Sequence, residues 1–289
     1  MILIADSGST KTDWTLVDTG GDVAGRYATQ GINPFHQHPD VIAGVLNREL
    51  IAQLEGREEP VTAIYFYGSG CTPEMSAPLI RVLQSAFPAC KQIQDTDERS
   101  RHFGRDLLGA ARALCGHQEG IACILGTGSN SCYYDGSRMA AHTPALGYIL
   151  GDEGSGAVLG RLFLNGILKG LLPTALRDEY FRSTGLAMTD IIDRVYRQPL
   201  ANRFMASSSK FIEDHLSCQP LKNMVVDNFR LFFQHNVLAY QRPDLPVASI
   251  GSVGYYFREQ LSEAAALEGL RLGSVRKSPM DGLILFHSN

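Results

Sequence analysis

The chain has 289 residues, 44% of them apolar and 19% charged. That balance suits a globular protein with apolar material for a core, in one large domain or two of middle size. A net charge of −4 with no long basic run argues against nucleic acid as the main partner, since phosphate binding needs clustered positive surface.

Residues 1–6 meet an acid after Met1 and four further apolar residues, without the positive start of a leader. Apolar stretches stop short of the roughly 20 residues that cross a bilayer. A cytosolic protein that stays off membranes is expected. Cys71, Cys90, Cys115, Cys123, Cys132 and Cys218 are scattered without a C-x-x-C pair, which favours buried thiols over metal or iron–sulfur ligation.

Residues 2–7 read as a strand and residues 14–18 as a second, joined by a polar turn containing glycine. Gly20-Gly21-Asp22 turns the chain into a third strand at 23–29. Val41, Val45, Leu46, Leu50 and Leu54 recur at helical spacing within 39–55. Residues 61–67 are β-branched and aromatic, a strand closed by Gly68-Ser69-Gly70. Thr72-Pro73-Glu74 then opens a helix, with threonine as its cap and proline at its first position.

Ile121-Ala122-Cys123-Ile124-Leu125 is a buried strand running into Gly126-Thr127-Gly128-Ser129-Asn130. Strands at 131–134 and 139–142 follow around Asp135-Gly136. Residues from about 155 to 240 read as mostly helical, broken at Pro173, Pro199 and Pro220. A strand at 246–250 ends at Gly251-Ser252-Val253-Gly254 and feeds a helix to about Leu267. The grammar of strand, glycine turn, strand, strand and helix therefore occurs twice. A duplicated α/β fold is expected, hinged near 107–118, with ligands held between its halves.

Asp6-Ser7-Gly8-Ser9-Thr10-Lys11-Thr12-Asp13 sits in the first hairpin. Small residues let a ligand approach the backbone. Backbone N–H groups, hydroxyls and the lysine ammonium can hold phosphate oxygens. Asp6 can hold Mg²⁺ through water, because that ion takes few carboxylates and keeps several waters. A single such turn is as often an ordinary hairpin; Gly126-Thr127-Gly128-Ser129-Asn130-Ser131 at the equivalent place of the second half is what carries the phosphate reading. Further on, Leu146-Gly147-Tyr148-Ile149-Leu150-Gly151-Asp152-Glu153-Gly154-Ser155-Gly156 sets two acids before a helix bearing Leu159, Leu162, Phe163 and Ile167. Acids there can also answer the helix dipole alone.

Asp-x-Gly-x-Thr-Lys-Thr-Asp, Gly-Thr-Gly-Ser-Asn and Leu-Gly-Asp-Glu-Gly-Ser-Gly, in this order, resemble the N-acetylglucosamine kinase branch of the actin-like ATPases, the broad group of the BadF/BadG-type ATPases. The resemblance runs over essentially the whole chain, and Gly-Asp-Glu-Gly-Ser is its most specific element. It implies two ribonuclease-H-like lobes, residues 1–107 and 108–276, with 277–289 returning to the first and ATP in the cleft. Asp6, Gly8, Ser9, Thr10, Lys11, Thr12, Gly126, Thr127 and Gly128 would face the phosphates, Asp6 also holding Mg²⁺. Gly251, Ser252 and Val253 would lie against the adenosine. Asn33, within Gly31-Ile32-Asn33-Pro34, would contact the sugar together with Asp106, Gly147 and Asp152. Asp106, opening the small-residue run Leu107-Leu108-Gly109-Ala110-Ala111, is the implied catalytic base, with Asp95 and Asp97 as competitors.

Related enzymes often carry tryptophan where this chain has Leu146, and near the sugar-contacting asparagine, where it has Phe35. The implied reaction moves the γ-phosphate of ATP to O6 of an amino sugar, N-acetylglucosamine first, with glucosamine and N-acetylmuramic acid open. An ATPase that energises a partner and an actin-like nucleotide-binding protein are the competing readings. A homodimer would be unsurprising for this family.

Overall fold

A computed structural model describes residues 1–8, 10–57, 59–71, 73–93 and 106–288. The chain divides into two compact units, Met1–Gln118 with Gly136–Arg138 and Pro279–Asn289, and Glu119–Asp135 with Met139–Ser278.

In the first unit β1 (Ile2–Ser7), β2 (Lys11–Val17), β3 (Val23–Gln30), β4 (Ala63–Gly68) and β5 (Gln92–Ile93) form a sheet of order β3-β2-β1-β4-β5. β1 lies at its centre, antiparallel to β2 and parallel to β4. Its Leu3, Ile4 and Ala5 are fully buried, the continuous apolar run of a strand covered on both faces. The helical segment 39–55 divides into α1 (Pro39–Val45), a π-helical stretch Leu46–Ile51, and α2 (Ala52–Leu54). α3 (Pro73–Ala86) and α4 (Asp106–Cys115) complete this part. Trp14 is fully buried against Phe66, its Nε1 donating to Thr29 Oγ1 at 3.0 Å.

β2 starts at Lys11, three residues before the strand expected from Trp14. Ser7 pairs with Thr12, Asp6 with Asp13 and Lys11 with Gln30, so Lys11, Thr12 and Asp13 belong to the ladder. The polarity of those three residues hid the strand. Thr72, expected as a helix cap, and Ser9, Asp95 and Asp97 lie outside the described residues.

The second unit repeats the topology. β6 (Glu119–Leu125), β7 (Ser129–Asp135), β8 (Met139–His142), β9 (Val247–Ile250) and β10 (Leu272–Arg276) give the order β10-β9-β6-β7-β8. β6 is central, antiparallel to β7 and parallel to β9. The helices are α5 (Gly147–Leu150), α6 (Gly156–Leu168), α7 (Thr174–Thr184), α8 (Met188–Tyr196), α9 (Ala201–Ser207), α10 (Ser209–Asp214), α11 (Gln219–Phe232), α12 (Ser252–Tyr256) and α13 (Arg258–Leu267). A last helix, α14 (Met280–Ser288), belongs to the first unit. Two sheets of identical strand order and sense are the duplication expected from the sequence. Among the described residues no helix is long and apolar enough to cross a membrane.

Phe163, Phe229, Phe232 and Phe257 fill the core of the second unit. α6 crosses α9 there with backbone almost in contact: a Cβ on Gly160 would stand 1.9 Å from the carbonyl oxygen of Met205. That oxygen is main chain and cannot swing away. Gly160→Ala is therefore expected to cost about 3 kcal/mol or more, read as a lowered midpoint in urea unfolding; an unchanged midpoint would show that the two helices can separate at no cost.

Candidate functional site

In the first unit the site grows from the ends of β1 and β4. Asp6, one residue before the end of β1, stands directly opposite Asp13 of β2, and like charges in register repel. Burial pushes the Asp6 carboxyl up to about 7, with the carboxylates of Asp106 and Asp13 adding to the rise and Lys11 opposing it. Lys11 is exposed and ion-paired with Asp13 at 2.7 Å, and Gly8 and Thr10 are exposed beside it. Asp106 opens α4, its Oδ1 accepting from the N–H of Leu107 at 2.8 Å. Burial and the Asp106 carboxylate push the neighbouring Cys71 thiol up to about 12, so it stays protonated.

Thr12, the last hydroxyl of the first motif, sits on β2. It is fully buried, its hydroxyl bonded to Ser7 Oγ at 2.6 Å and accepting from the N–H of Ile32 at 3.1 Å. It ties the loop after β3 to the hairpin. Thr12→Val keeps the shape and removes these bonds, so a stability loss of about 1–2 kcal/mol is expected with ATP KM within about twofold. Equilibrium unfolding and initial rates check it.

The tied loop carries Asn33, whose Oδ1 accepts from the N–H of Phe35 at 3.0 Å while its own N–H donates to Gln37 Oε1 at 2.7 Å. Gly70, at φ +77°, lets the loop after β4 close over it: a Cβ there would lie 2.0 Å from Asn33 Oδ1. Asn33, Asp6 and Asp106 thus come from three different elements of one unit.

In the second unit three loops meet at the carboxyl end of β6. The turn between β6 and β7 exposes Thr127, with the N–H of Gly126 donating to the carbonyl of Gly128 at 3.0 Å. The segment before α6 docks onto it: Gly156 N–H donates to the carbonyl of Gly126 at 2.8 Å and Ala157 N–H to that of Thr127 at 3.0 Å. Ser155 caps α6, its Oγ accepting from Val158 N–H at 3.2 Å. The loop after β9 presses from the other side, where a Cβ on Gly251, at φ +123°, would meet the carbonyl oxygen of Leu125 at 2.3 Å.

Asp152 lies between these loops with φ +58°, the left-handed region that a non-glycine residue occupies at a cost of about 1–2 kcal/mol. Strain of that kind collects at functional sites. Its carboxylate sits against Gly128, where a Cβ would stand 3.1 Å from Oδ2. Burial raises its pKa, a bond from the Ser129 N–H lowers it, and Glu153 raises it again. Gly147 is required by its own φ of +74°; a Cβ there would touch nothing. Ser252 is exposed, whereas Val253 is buried in the core. Both border a cavity of about 380 Å³ lined also by Ser209, Lys210 and Tyr256.

The chain is 49% identical to a candidate N-acetylglucosamine kinase from Porphyromonas gingivalis, over 100% of this chain and 99% of that one, with a TM-score of 0.94. The chain belongs to the N-acetylglucosamine kinase family. Its fold is accordingly that of the two-lobed actin-like ATPases. A second candidate N-acetylglucosamine kinase, from Chromobacterium violaceum, is 20% identical over 99% of this chain and 98% of that one, with a TM-score of 0.75. A ROK family glucokinase from Streptomyces griseus, solved with glucose and AMPPNP, is 15% identical over 99% and 97%, with a TM-score of 0.56. At such identities the likeness is one of fold. No family model matches the chain, and no curated protein does.

Within this kinase-family framework, sequence reasoning did not single out Asp13, Ser209, Tyr256, Asn228 or His235. Asp13 was legible as part of the first motif. Tyr256 ends the short helix that the motif at Gly251-Ser252-Val253 opens, while Ser209, Asn228 and His235 lie on helical segments far from any motif, where only the fold reveals what they face.

Proposed function

We propose that the chain is a sugar kinase, moving the γ-phosphoryl group of ATP to O6 of N-acetylglucosamine. The observation that carries this reading is the docking of residues 151–157 onto the turn at 126–128, which sets the strained Asp152 beside a phosphate-type loop. Near-half identity to a relative designated for that activity supports it.

Thr10, Lys11 and the N–H groups around Gly8 hold phosphate oxygens in this account, with Ser9, and Thr127 and Gly128 hold them from the second unit. Lys11 exchanges its exposed partner Asp13 for phosphate. Adenine enters the cavity lined by Ser209, Lys210, Ser252, Val253 and Tyr256. Asn33 and Asp152 hold sugar hydroxyls, Gly147 shapes the loop beside them, and Asp106 accepts the proton of the attacking hydroxyl. Phosphoryl transfer passes through a loose transition state, so positioning and charge neutralisation supply most of the rate.

Among the described residues no group of three His, Cys, Asp or Glu side chains is placed to hold a metal ion. Mg²⁺ does not need one, since it binds through one or two carboxylates and water. Asp6 fits it, because a cation there relieves the repulsion from Asp13 and Asp106. When bound, the ion neutralises charge on the β- and γ-phosphates.

The test is ADP release from Mg²⁺·ATP with N-acetylglucosamine, glucosamine, N-acetylmuramic acid, glucose or no sugar. Stimulation by N-acetylglucosamine above the others is expected. Hydrolysis at the same rate without sugar would overturn the reading and favour an ATPase that energises a partner.

A further inference from the structure

The left-handed backbone of Asp152 lies in a short loop that is held from outside. In this unit the support comes from one helix. α11 and the π-helical stretch that continues it, Phe233–Val237, bring Asn228, Phe232 and His235 against residues 153–154. Asn228 Oδ1 accepts from the N–H of Gly154 at 3.0 Å. A Cβ on Gly154 would lie 2.8 Å from the Cβ of Phe232, so the loop rests directly on the helix. His235 Nδ1–H donates to Glu153 Oε1 at 3.0 Å.

The continuation of this helical run, Asn236 on the π-helical stretch and Tyr240 on the 3-10 turn Leu238–Tyr240 after it, also holds the chain ahead of Asp152. The carbonyl of Asn236 accepts from Thr143 Oγ1 at 2.9 Å, and Tyr240 OH accepts from the N–H of Thr143 at 3.1 Å. Both flanks of the segment bearing Asp152 are therefore tied to one continuous helical run, 219–240.

Two features suggest that this grip serves more than packing. Asn228 is 1% exposed, and its Nδ2 has no hydrogen-bond partner among the described residues. A buried amide that leaves its donors unused is costly, so its value lies in the one oxygen that meets Gly154. A π-helical turn likewise gives up good hydrogen-bond geometry and recurs where a helix serves a site. Here it carries His235 and Asn236.

We propose that Asn228 and His235 are positioning residues for sugar binding: they fix the peptide planes after Asp152 so that its carboxylate stays aimed at the acceptor hydroxyls. This rests on the reading of Asp152 as a sugar ligand.

The experiment compares sugar KM, ATP KM, kcat and melting temperature for wild type, His235→Ala, His235→Asn, Asn228→Ala and Asp152→Asn. His235→Ala should raise sugar KM about 5- to 10-fold and Asn228→Ala about 10- to 30-fold, with ATP KM within about twofold. His235→Asn, whose amide can donate from nearly the place of Nδ1–H, should return sugar KM to within about twofold of wild type. Asp152→Asn should raise it at least about 100-fold.

Lower melting temperatures with wild-type sugar KM in both alanine variants would overturn the inference while leaving Asp152 in its role. A wild-type sugar KM in Asp152→Asn would instead overturn the reading beneath it. His235 lies near the surface, so its two variants decide the matter even if Asn228→Ala fails to fold.

Discussion

Asp106→Asn is expected to lower kcat by about 10³-fold while leaving ATP KM within about threefold. Asparagine keeps the shape of the side chain and can still accept from the N–H of Leu107, as Asp106 does at 2.8 Å. It cannot accept the proton of an attacking hydroxyl. The loss should therefore fall on the chemical step and spare nucleotide binding. The fold should tolerate the change, because the Asp106 carboxylate is one of the charges that push Asp6 up to about 7. Initial rates at saturating sugar and a melting curve decide it. A fall of less than tenfold would remove Asp106 from the chemistry, and a large fall in Asp95→Asn or Asp97→Asn instead would move the base there.

Asp6→Asn is expected to separate stability from activity. Ligand-free Asp6 ionises at about 7 against an ordinary 3.8. Between those values the unfolded chain releases a proton that the folded chain keeps, so folding becomes less favourable as pH rises through that window. Asparagine has no such proton to lose. At pH 8 the variant should melt about 2–5 °C above wild type, and below pH 4 the difference should vanish.

Activity should move the other way. Without the carboxylate that suits a hydrated Mg²⁺, kcat/KM for Mg²⁺·ATP should fall about 100-fold or more. Calorimetry from pH 4 to 8 beside initial rates reads both effects. A variant that melts lower than wild type at pH 8 would contradict the charge clustering around Asp6.

The central strands were legible because their apolar runs are long and closed by glycine. Leu3, Ile4 and Ala5 in one half and Ile121, Ala122 and Cys123 in the other are buried to within 1%, and each run ends in the turn that carries the motif. The duplication could be read from those turns alone. β5 has two residues and β10 has only Leu272 and Val275 as apolar strand formers, so neither offered an alternation to find. α14 carries Leu283, Ile284, Leu285 and Phe286 consecutively, a run without helical period that hides the helix.

At the site, motif residues were visible wherever backbone chemistry demanded small side chains, as at Gly128 against Asp152. Thr12 shows the limit of that reasoning. Its hydroxyl sits in a phosphate-type motif, and the loop after β3 lays the N–H of Ile32 against it, a contact that no local pattern announces. Asn228 and His235 show another, since they reach residues 153–154 from 74 and 82 positions away. No local pattern marks a side chain whose partner is that remote.

The most direct measurement is the identity of the product. Wild-type protein would be incubated with Mg²⁺·ATP and N-acetylglucosamine carrying ¹³C at C6, and followed by ¹³C and ³¹P NMR. A C6 carbon newly coupled to phosphorus, formed in step with ADP and absent with Asp106→Asn, is the predicted result. Inorganic phosphate and ADP with unchanged sugar would contradict it.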